Sequence, residues 1–543
     1  MGRKGKVAYL YDGEVGGAYY GIKHPMKPHR MRMTNELIVQ YGLAEHLDVF
    51  VSLLSARPTS LQHQNEYSCW PCSGTAASNW QYMHQQILNH LTSMQKPNRA
   101  TPVALEQFHT HEYIDFLQNA KPDHVTEAQV QHYNVIDDSP IFDGVFKFCQ
   151  IYAGASIHGA QKLIQDDYDI AINWAGGLHH AKKGQASGFC YVNDLVLAIL
   201  ELLKYHARVL YLDLDVHHGD GVEEAFVSNN RVMTVSFHRY GNFFFPGTGN
   251  LSEIGFGHGR WHTLNIPFDA GLTDGQFWSV FQPVMQKVMD AYQPGAVVLQ
   301  CGADSLGGDK LGDFNLSIKQ HAEAVDFMKK FNVPMLVTGG GGYKKRNVAR
   351  CWAYETAVLV GQKELVTDQL PSNMYLDNFK NEKEDVTRVP SLNADKMNIY
   401  RRGTIPDTYN RPVRLDRIRT QALEHLQHVE ISPGIVFNPA AAAVNPVPIK
   451  AIAVIDQRTN HPNQCLVASS LLQQRCHGFF ERQPDAMLPE WSSRHPEANQ
   501  EQEEHDYALS HHLLKDYDQA DYFRNNDMFA MPWNSAWGKL PVS

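Results

Sequence analysis

The sequence predicts an α/β fold of three layers (α/β/α), in which helices cover both faces of a central, mainly parallel β-sheet. Short and almost entirely apolar runs alternate with helical patterns, which is typical of strands buried on both faces of a parallel sheet. The runs span 6–11, 169–174, 208–212, 232–237, 296–300 and 334–338. Polar clusters directly follow four of these runs, and in such sheets sites lie beyond the carboxyl ends of the strands.

The helical elements follow from apolar spacing and capping residues. Leu37, Ile38 and Tyr41 recur at helical spacing, and Thr34 is the expected N-cap of this first helix. The stretch 134–140 is predicted to be a loop that carries two carboxylates. Further helices are predicted at 102–117, 151–164, 195–203, 277–292, 318–331 and 415–429.

Length and composition limit the domain organisation. A chain of 543 residues is longer than one hydrophobic core usually supports. We expect one large domain at 5–436, with an atypical insertion at 59–97, and a low-complexity, largely disordered tail at 437–543. Because no apolar run is long enough to span a bilayer and the first residues lack the apolar core of a signal peptide, no membrane contact is expected.

Charge and cysteine content narrow the class of function. The net charge of −10 argues against broad binding to nucleic-acid phosphates and is compatible with a basic partner or substrate. The eight cysteines are scattered, and several lie in apolar segments, which fits reduced thiols in an intracellular protein. Two of them form Cys69-Trp-Pro-Cys72 in the insertion, where we favour two unreactive surface cysteines over a metal or redox site because no second pair accompanies them.

The stretch 208–220 carries the densest chemistry of the chain. It begins as a buried strand and continues as Asp-Leu-Asp-Val-His-His-Gly-Asp. Alternate residues of a strand point to one face, so Asp213, Asp215 and His217 are predicted to share a face. Because unpaired buried charges are costly, a bound metal ion is the expected compensation; the competing interpretation is a charged loop just beyond the strand.

Asp215, His217 and Asp304 are candidate ligands of a metal ion. Three protein ligands and one open coordination position are typical of a catalytic zinc site rather than a structural one. Carboxylate oxygens also suit Fe(II) and Mn(II), so the residues predict the presence of a metal more firmly than its identity.

A histidine pair and a tyrosine are candidates for proton transfer and charge stabilisation. His179 and His180 follow Ala-Gly-Gly-Leu at a strand end and can accept a proton from water, with Asp213 and Asp220 available to orient them. Tyr343 follows four glycines, which let the backbone approach a site, and its phenol can donate to an oxyanion. The alternatives are an ordinary pair of loop histidines and a tyrosine that closes a glycine-rich turn.

Seven long motifs contain or flank these candidates. They are His-Pro-Met-Lys-Pro-His-Arg at 24–30, Asn-Trp-Ala-Gly-Gly-Leu-His-His-Ala-Lys-Lys at 173–183, Ala-Ser-Gly-Phe-Cys-Tyr-Val-Asn-Asp at 186–194, His-His-Gly-Asp-Gly-Val-Glu-Glu-Ala-Phe at 217–226, Phe-Pro-Gly-Thr-Gly at 245–249, Gln-Cys-Gly-Ala-Asp-Ser-Leu at 300–306 and Gly-Gly-Gly-Gly-Tyr at 339–343. Together the motifs resemble those of class I histone deacetylases, which have the arginase/deacetylase fold. The resemblance runs from about residue 7 to about residue 361 outside the insertion, with a weaker echo near 418–436.

The resemblance implies a role for each candidate. The implied zinc ligands are Asp215, His217 and Asp304. Zinc and Tyr343 are implied to polarise the carbonyl of an acetamide. His180, paired with Asp220, is implied as the general base and then the general acid. His179, paired with Asp213, is implied to support it electrostatically, and the individual proton steps belong to the pair of histidines.

The resemblance also implies how substrate and ions bind. Phe189 and Phe245 lie in loops flanked by glycines and are candidate walls of a narrow apolar channel. The implied tunnel for the acetyl-lysine stem consists of Gly188, Phe189, Phe245 and Leu311, with Asp138 as a rim carboxylate that grips the substrate backbone. A structural potassium ion is implied at Ser236 and the main chain around Asp213, Asp215, His217 and Phe237. The loop 241–246 has one residue more than the family pattern, which is expected to alter the tunnel mouth and the substrate preference.

A basic patch is implied to bind an inositol phosphate that bridges to a corepressor. Lys27 and Arg346 match this patch, whereas Lys310 stands where an arginine is usual and Lys23 where a glycine is usual. Positive charge is therefore kept, but a lysine cannot reproduce the bidentate geometry of an arginine.

The sequence thus predicts a zinc-dependent protein lysine deacetylase that acts on N6-acetyl-lysine of histone tails by metal-activated water, in chromatin silencing and transcriptional repression. By resemblance it is nuclear, with a cytoplasmic pool as an alternative, and works with corepressor subunits, without direct nucleic-acid binding.

The rival functions are a deacetylase of small acetylated amines and a catalytically weak corepressor scaffold. Asp138 favours the protein substrate, and the complete catalytic set argues against the scaffold. A binuclear manganese hydrolase would need carboxylates where the sequence has His179 and His180.

Overall fold

The computed structural model describes residues 5–51, 97–136, 138–379 and 409–429. Nearly all of the insertion at 59–97, both of its cysteines and the tail at 437–543 lie outside the described residues, so the predictions made for them stay predictions. Among the described helices, none combines the length and apolar character needed to cross a membrane.

The described strands form one sheet in which all neighbouring strands are parallel. In chain order they are β1 (Val7–Tyr11), β2 (Asp48–Val51), β3 (Ile170–Asn173), β4 (Val209–Asp213), β5 (Val232–Arg239), β6 (Thr263–Phe268), β7 (Ala296–Gln300) and β8 (Met335–Thr338). Their order across the sheet is β2-β1-β3-β8-β7-β4-β5-β6. All six predicted strands are present. The sequence did not predict the two edge strands, and β6 shows why, because Asn265 and Pro267 interrupt its apolar run.

Helices flank the sheet on both sides. In chain order they are α1 (Arg30–Gln40), α2 (Pro102–Leu105), α3 (His111–Asn119), α4 (Glu127–His132), α5 (Val145–Ile164), α6 (Asp194–Leu202), α7 (Asp220–Phe226), α8 (Asp274–Tyr292), α9 (Ile318–Lys329), α10 (Lys345–Val360), α11 (Leu376–Phe379) and α12 (Pro412–His425). Two predictions about helix ends are wrong. Thr34 lies inside α1, where its hydroxyl donates to the Arg30 carbonyl, instead of capping the helix. The helix predicted at 102–117 is two helices, because Thr110 adopts an extended conformation and caps α3 by accepting from the Tyr113 amide.

Alternation along the strands divides the core into two layers. Leu210 and Leu212 of β4 belong to one apolar cluster, together with buried residues of α1, α8, α9 and α10. Val209 and Tyr211 of the same strand belong to the other cluster, together with residues of α5, α6 and α7. Each face of the sheet therefore packs against its own layer of helices. Burial of one such apolar side chain contributes about 1.5–3 kcal/mol to stability. The predicted three-layer α/β/α architecture is confirmed.

The central strands bring four loops together at one edge of the sheet. β3, β8, β7 and β4 are neighbours, and the predicted polar clusters follow these four strands. The alternation argument for Asp213, Asp215 and His217 does not hold, because β4 ends at Asp213 and the other two residues lie in the following loop. Their convergence is therefore a property of that loop.

The described cysteines, Cys149, Cys190, Cys301 and Cys351, are all buried and none of these four forms a disulfide, in agreement with the prediction of reduced thiols.

Candidate active site

The three predicted metal ligands converge in a buried position. Asp215 and His217 lie in the loop between β4 and α7, and Asp304 follows β7. The Nδ1 atom of His217 is 3.0 Å from Asp215 Oδ1 and 3.2 Å from Asp304 Oδ2. One potential ligand atom from each residue lies within 4.8 Å of the others. The two carboxylates are fully buried and His217 is 7% exposed, so these donors face one another without competing solvent.

Neighbouring groups hold the two carboxylates by their remaining oxygen atoms. Asp215 Oδ2 accepts from Gln300 Nε2 at 2.9 Å and from the Gly341 amide at 2.8 Å. Asp304 Oδ1 accepts from the Val216 amide at 3.0 Å. Sequence reasoning assigned no role to Gln300, although its place at the end of β7, within the 300–306 motif, was a signal.

The electrostatics of this cluster favour a cation. Burial raises the pKa of Asp304, and the nearby charge of Asp215 raises it further. Two carboxylates that share a dry position repel each other unless a positive charge lies between them. Two oxygen donors and one imidazole nitrogen fit a divalent zinc ion, and they also fit Fe(II) or Mn(II).

Two His–Asp pairs lie beside the metal ligands. The Nδ1 atom of His179 is 2.7 Å from Asp213 Oδ2, and the Nδ1 atom of His180 is 2.7 Å from Asp220 Oδ1. The Nε2 atoms of the two histidines face each other at 2.9 Å. Tyr211 donates its hydroxyl to Asp213, so this carboxylate is oriented by a partner that the sequence analysis missed. Each imidazole is thereby held at Nδ1 and presents Nε2 to the site.

The environment splits the proton affinities of the two histidines. Burial acts to lower the pKa of His179, but the carboxylates of Asp213 and Asp215 outweigh burial and raise it. For His180 burial lowers the pKa, and the charge of His179 lowers it further. His179 is therefore the imidazole that carries the extra proton, and His180 is the neutral imidazole of the pair, which is the form that a general base requires.

Tyr343 is fixed by contacts to its backbone and to the preceding glycines. Its amide donates to Asp309 Oδ2 at 2.8 Å, and the guanidinium of Arg30 donates to the carbonyls of Gly340 and Gly342. Burial, reinforced by the carboxylates of the metal cluster, raises the pKa of the Tyr343 phenol, so the hydroxyl keeps its proton as a donor. The sequence analysis missed the roles of Asp309 and Arg30; Arg30 ends the motif at 24–30.

Three of the predicted tunnel residues lie next to the rings of His180 and Tyr343. A Cβ atom on Gly188, which has a φ of +51°, would lie 2.5 Å from His180 Cδ2 and 2.9 Å from Phe245 Cε1. The ring centroid of Phe245 is 4.9 Å from that of His180, and the centroid of Phe189 is 5.6 Å from that of Tyr343. The two phenylalanines therefore lie beside the candidate base and the candidate oxyanion donor.

The two remaining predicted substrate residues, Asp138 and Leu311, differ in exposure. Asp138 is exposed, and its carbonyl oxygen is 3.1 Å from His24 Nε2. Leu311 is partly buried, and its amide donates to a carboxylate oxygen of Asp309. In the lengthened loop Phe244 stacks on the His217 ring at 5.2 Å between centroids, while Phe243 is almost fully exposed.

The predicted ion-binding residues are partly grouped. Ser236 is the register partner of Asp213 on the adjacent strand, and Phe237 follows it. Lys27 donates to the carbonyls of Gly21 and Ile22; burial lowers its pKa, as do the charges of Lys310 and Lys345. Lys345 therefore lies close enough to Lys27 to affect its charge, which the sequence analysis did not predict. Arg346 follows it on α10, and Lys23 is exposed.

A parallel α/β fold that gathers two carboxylates and a histidine next to two His–Asp pairs and a buried tyrosine has the groups that a metal-dependent hydrolase requires. Comparison with known proteins narrows this class. The model of the histone deacetylase domain matches residues 72–359. Histone deacetylase 1 of Bos taurus is 46% identical over 437 residues, which cover 80% of this chain and 78% of that protein.

Plant proteins show the same similarity. Histone deacetylase 1 of Oryza sativa subsp. japonica is 47% identical over 438 residues, covering 80% of this chain and 72% of that protein. Histone deacetylase 19 of Arabidopsis thaliana is 47% identical over 438 residues, covering 80% and 75%. The chain therefore belongs to the histone deacetylase family, in its class I, and is a hydrolytic deacetylase.

Gly188→Ala is expected to lower kcat/KM by at least about tenfold. The added methyl would displace His180 or Phe245, and a left-handed conformation costs an alanine about 1–2 kcal/mol. Steady-state kinetics on an acetyl-lysine peptide measure the effect. Gly184→Ala is the matched control, because a Cβ there meets nothing closer than 3.9 Å. Equal kinetics for the two variants would remove Gly188 from the tunnel wall.

Proposed function

We propose that the chain is a zinc-dependent protein lysine deacetylase that removes acetyl groups from N6-acetyl-lysine of histone tails, in chromatin silencing and transcriptional repression. The observation that carries the proposal is the convergence of Asp215, His217 and Asp304, next to a histidine pair whose Nδ1 atoms are both held by carboxylates. The names of the related proteins support the same activity.

Zinc is the proposed metal, held by Asp215, His217 and Asp304. When bound, zinc supplies a Lewis acid that polarises the acetamide carbonyl and makes water more acidic. Gln300 and the Gly341 amide hold Asp215 in place for this role, because they bond the oxygen that is not directed at His217.

The remaining chemistry falls to side chains of the chain itself. His180 accepts the proton of the attacking water at Nε2, while its Nδ1–H continues to donate a hydrogen bond to Asp220. The same Nε2–H then protonates the departing lysine amine. His179, charged and paired with Asp213, stabilises the negative charge that develops on the substrate. Tyr343 donates its hydroxyl hydrogen to the carbonyl oxygen as that charge grows.

The protein substrate, the further ligands and the domain limits are parts of the same proposal. Gly188, Phe189, Phe245 and Leu311 are proposed to line the acetyl-lysine tunnel, with Asp138 on the substrate backbone. A potassium ion is proposed beside Ser236 and Phe237, at the main chain around Asp213, Asp215 and His217. An inositol phosphate is proposed at Lys27, Lys310 and Arg346, where it would bridge to a corepressor in the nucleus. The catalytic domain is proposed to span 5–436.

Release of acetate from an acetylated histone-tail peptide tests the function. Purified full-length protein is expected to release acetate, to stop when a hydroxamate chelator is added, and to contain about one zinc per chain, as a single catalytic site implies. A small N-acetylated amine in the same assay is the comparison substrate. If only the small amine is turned over, the proposal of a protein substrate is wrong. If the protein contains zinc but turns over neither substrate, the proposal that it is a deacetylase is wrong.

A further inference from the structure

A second cluster of titratable side chains lies behind the loop that carries Asp304. His321 of α9 is 1% exposed and Glu355 of α10 is fully buried. The Nδ1 atom of His321 bonds directly to Glu355 Oε1, and the Cys351 sulfur lies 3.6 Å from the same oxygen. Because the histidine and the glutamate bond each other, the second ring nitrogen of His321 is the group that can act on something else.

That second nitrogen points at the backbone of the metal site. His321 Nε2 is 3.1 Å from the carbonyl oxygen of Gly302. A carbonyl oxygen can only accept, so Nε2 carries a hydrogen and donates it. The proton between Nδ1 and the carboxylate of Glu355 belongs to one or the other. Whether that proton lies on His321 or on Glu355, Nε2 keeps its own hydrogen and donates it in a hydrogen bond to the Gly302 carbonyl.

The Gly302 peptide lies against the Asp215 carboxylate and precedes Asp304 by two residues. A Cβ atom on Gly302 would be 1.9 Å from Asp215 Oδ2, so the backbone touches this ligand. Asp304 follows two residues later, and the Gly302 amide donates to Gln300 Oε1 at 2.7 Å. A rotation of this peptide would therefore move Asp304 and push on Asp215 together.

We propose that His321, oriented by Glu355, is a positioning residue for the metal site: it fixes the Gly302 peptide so that Asp215 and Asp304 meet the metal at the right separation. The inference rests on the proposed zinc site and names no group that touches the substrate. Groups that hold metal ligands typically contribute about tenfold to a hundredfold to metal affinity or activity.

The double variant H321F/E355Q tests the proposal on the full-length protein. It removes the Nε2–H donor, and it also removes the buried carboxylate that His321→Phe alone would leave without its partner. We expect its zinc dissociation constant, measured by competition with a chelator, to rise about tenfold to a hundredfold, and kcat to fall over the same range. KM is expected to stay close to the wild-type value, because the two ring nitrogens of His321 bond Glu355 and Gly302, neither of which is a proposed tunnel residue.

Two single variants separate positioning from simple stability. In E355Q the side-chain amide of the glutamine can donate to His321 Nδ1, so the ring hydrogen stays on Nε2 and is still donated to the Gly302 carbonyl. E355Q is therefore expected to keep most of the zinc affinity that the double variant loses. K329M removes another link between α9 and α10, the 2.9 Å bond from Lys329 Nζ to the Val358 carbonyl. It is expected to lower the Tm of the metal-free protein without changing zinc affinity.

Three results would overturn the inference. They are unchanged zinc affinity in the double variant, an equal loss in K329M, and an equal loss in E355Q. The zinc measurement does not depend on deacetylation. A wild type that binds zinc without releasing acetate therefore contradicts the proposed function while the positioning role is still tested.

Discussion

Asp304→Asn is expected to abolish zinc binding and turnover together. The substitution exchanges a charged ligand for a neutral one and leaves two protein ligands of the ordinary strength. It keeps the acceptor oxygen for the Val216 amide, so the loop need not unfold. It also relieves the repulsion from Asp215 that raises the pKa of Asp304, so the metal-free variant should be at least as stable as the metal-free wild type.

Two measurements on one sample decide this prediction. Zinc content by elemental analysis is expected to fall to background, and the increase in Tm that excess zinc produces in the wild type is expected to disappear, since that increase comes from binding to the folded state alone. Asp274→Asn is the control. Asp274, the first residue of α8, is a carboxylate that accepts from the amide and the hydroxyl of Ser317, and it is not one of the proposed zinc ligands. Retention of zinc by the Asp304 variant would exclude Asp304 as a ligand.

Tyr343→Phe is expected to lower kcat by about 10²–10³-fold with zinc content and KM almost unchanged, the loss that removal of one oxyanion donor typically causes. The phenyl ring can keep its contact with Phe189, and the Asp309 bond uses the backbone amide, so only the hydroxyl is lost. Because the pKa of Tyr343 is raised, the wild type should not lose this donor at mildly alkaline pH.

The control for this prediction is another buried tyrosine. Tyr113→Phe removes a hydroxyl that donates to the Tyr191 carbonyl at 2.9 Å, so it is expected to lower Tm and leave kcat intact. Single-turnover release of acetate separates chemistry from product release for both variants. Equal kcat for Tyr343→Phe and the wild type would assign the tyrosine a packing role.

The sequence predictions failed at the edge strands and at two helix ends. β6 is an edge strand and needs no continuous apolar run, so its composition resembles that of a loop. The helix predicted at 102–117 has continuous apolar spacing, yet it is interrupted between Leu105 and His111, where the backbone amide of Thr110 bonds the distant Lys183 carbonyl. Thr34 has the residue type of a cap but lies within α1. Local patterns identify the type of element better than its ends.

The sequence identified the candidate metal ligands but not the residues that hold them in place. Asp215, His217 and Asp304 were found from residue type and from their place after buried strands, and the fold brings them together. Gln300 and Arg30 stand out in the sequence only as members of motifs, and the structure shows what each one bonds.

The sequence by itself determined the parallel sheet, the edge at which the site lies and the chemical types gathered there. Strand hydrophobicity and the residues that follow each strand are local properties, and parallel strands place their carboxyl ends together. Only the tertiary structure decided which groups hold these residues, such as Gln300 on Asp215, Asp309 on the Tyr343 amide and His321 on Gly302. These contacts join residues that are 19 to 85 positions apart, and a hydrogen bond over that distance leaves no periodic or compositional trace in the chain.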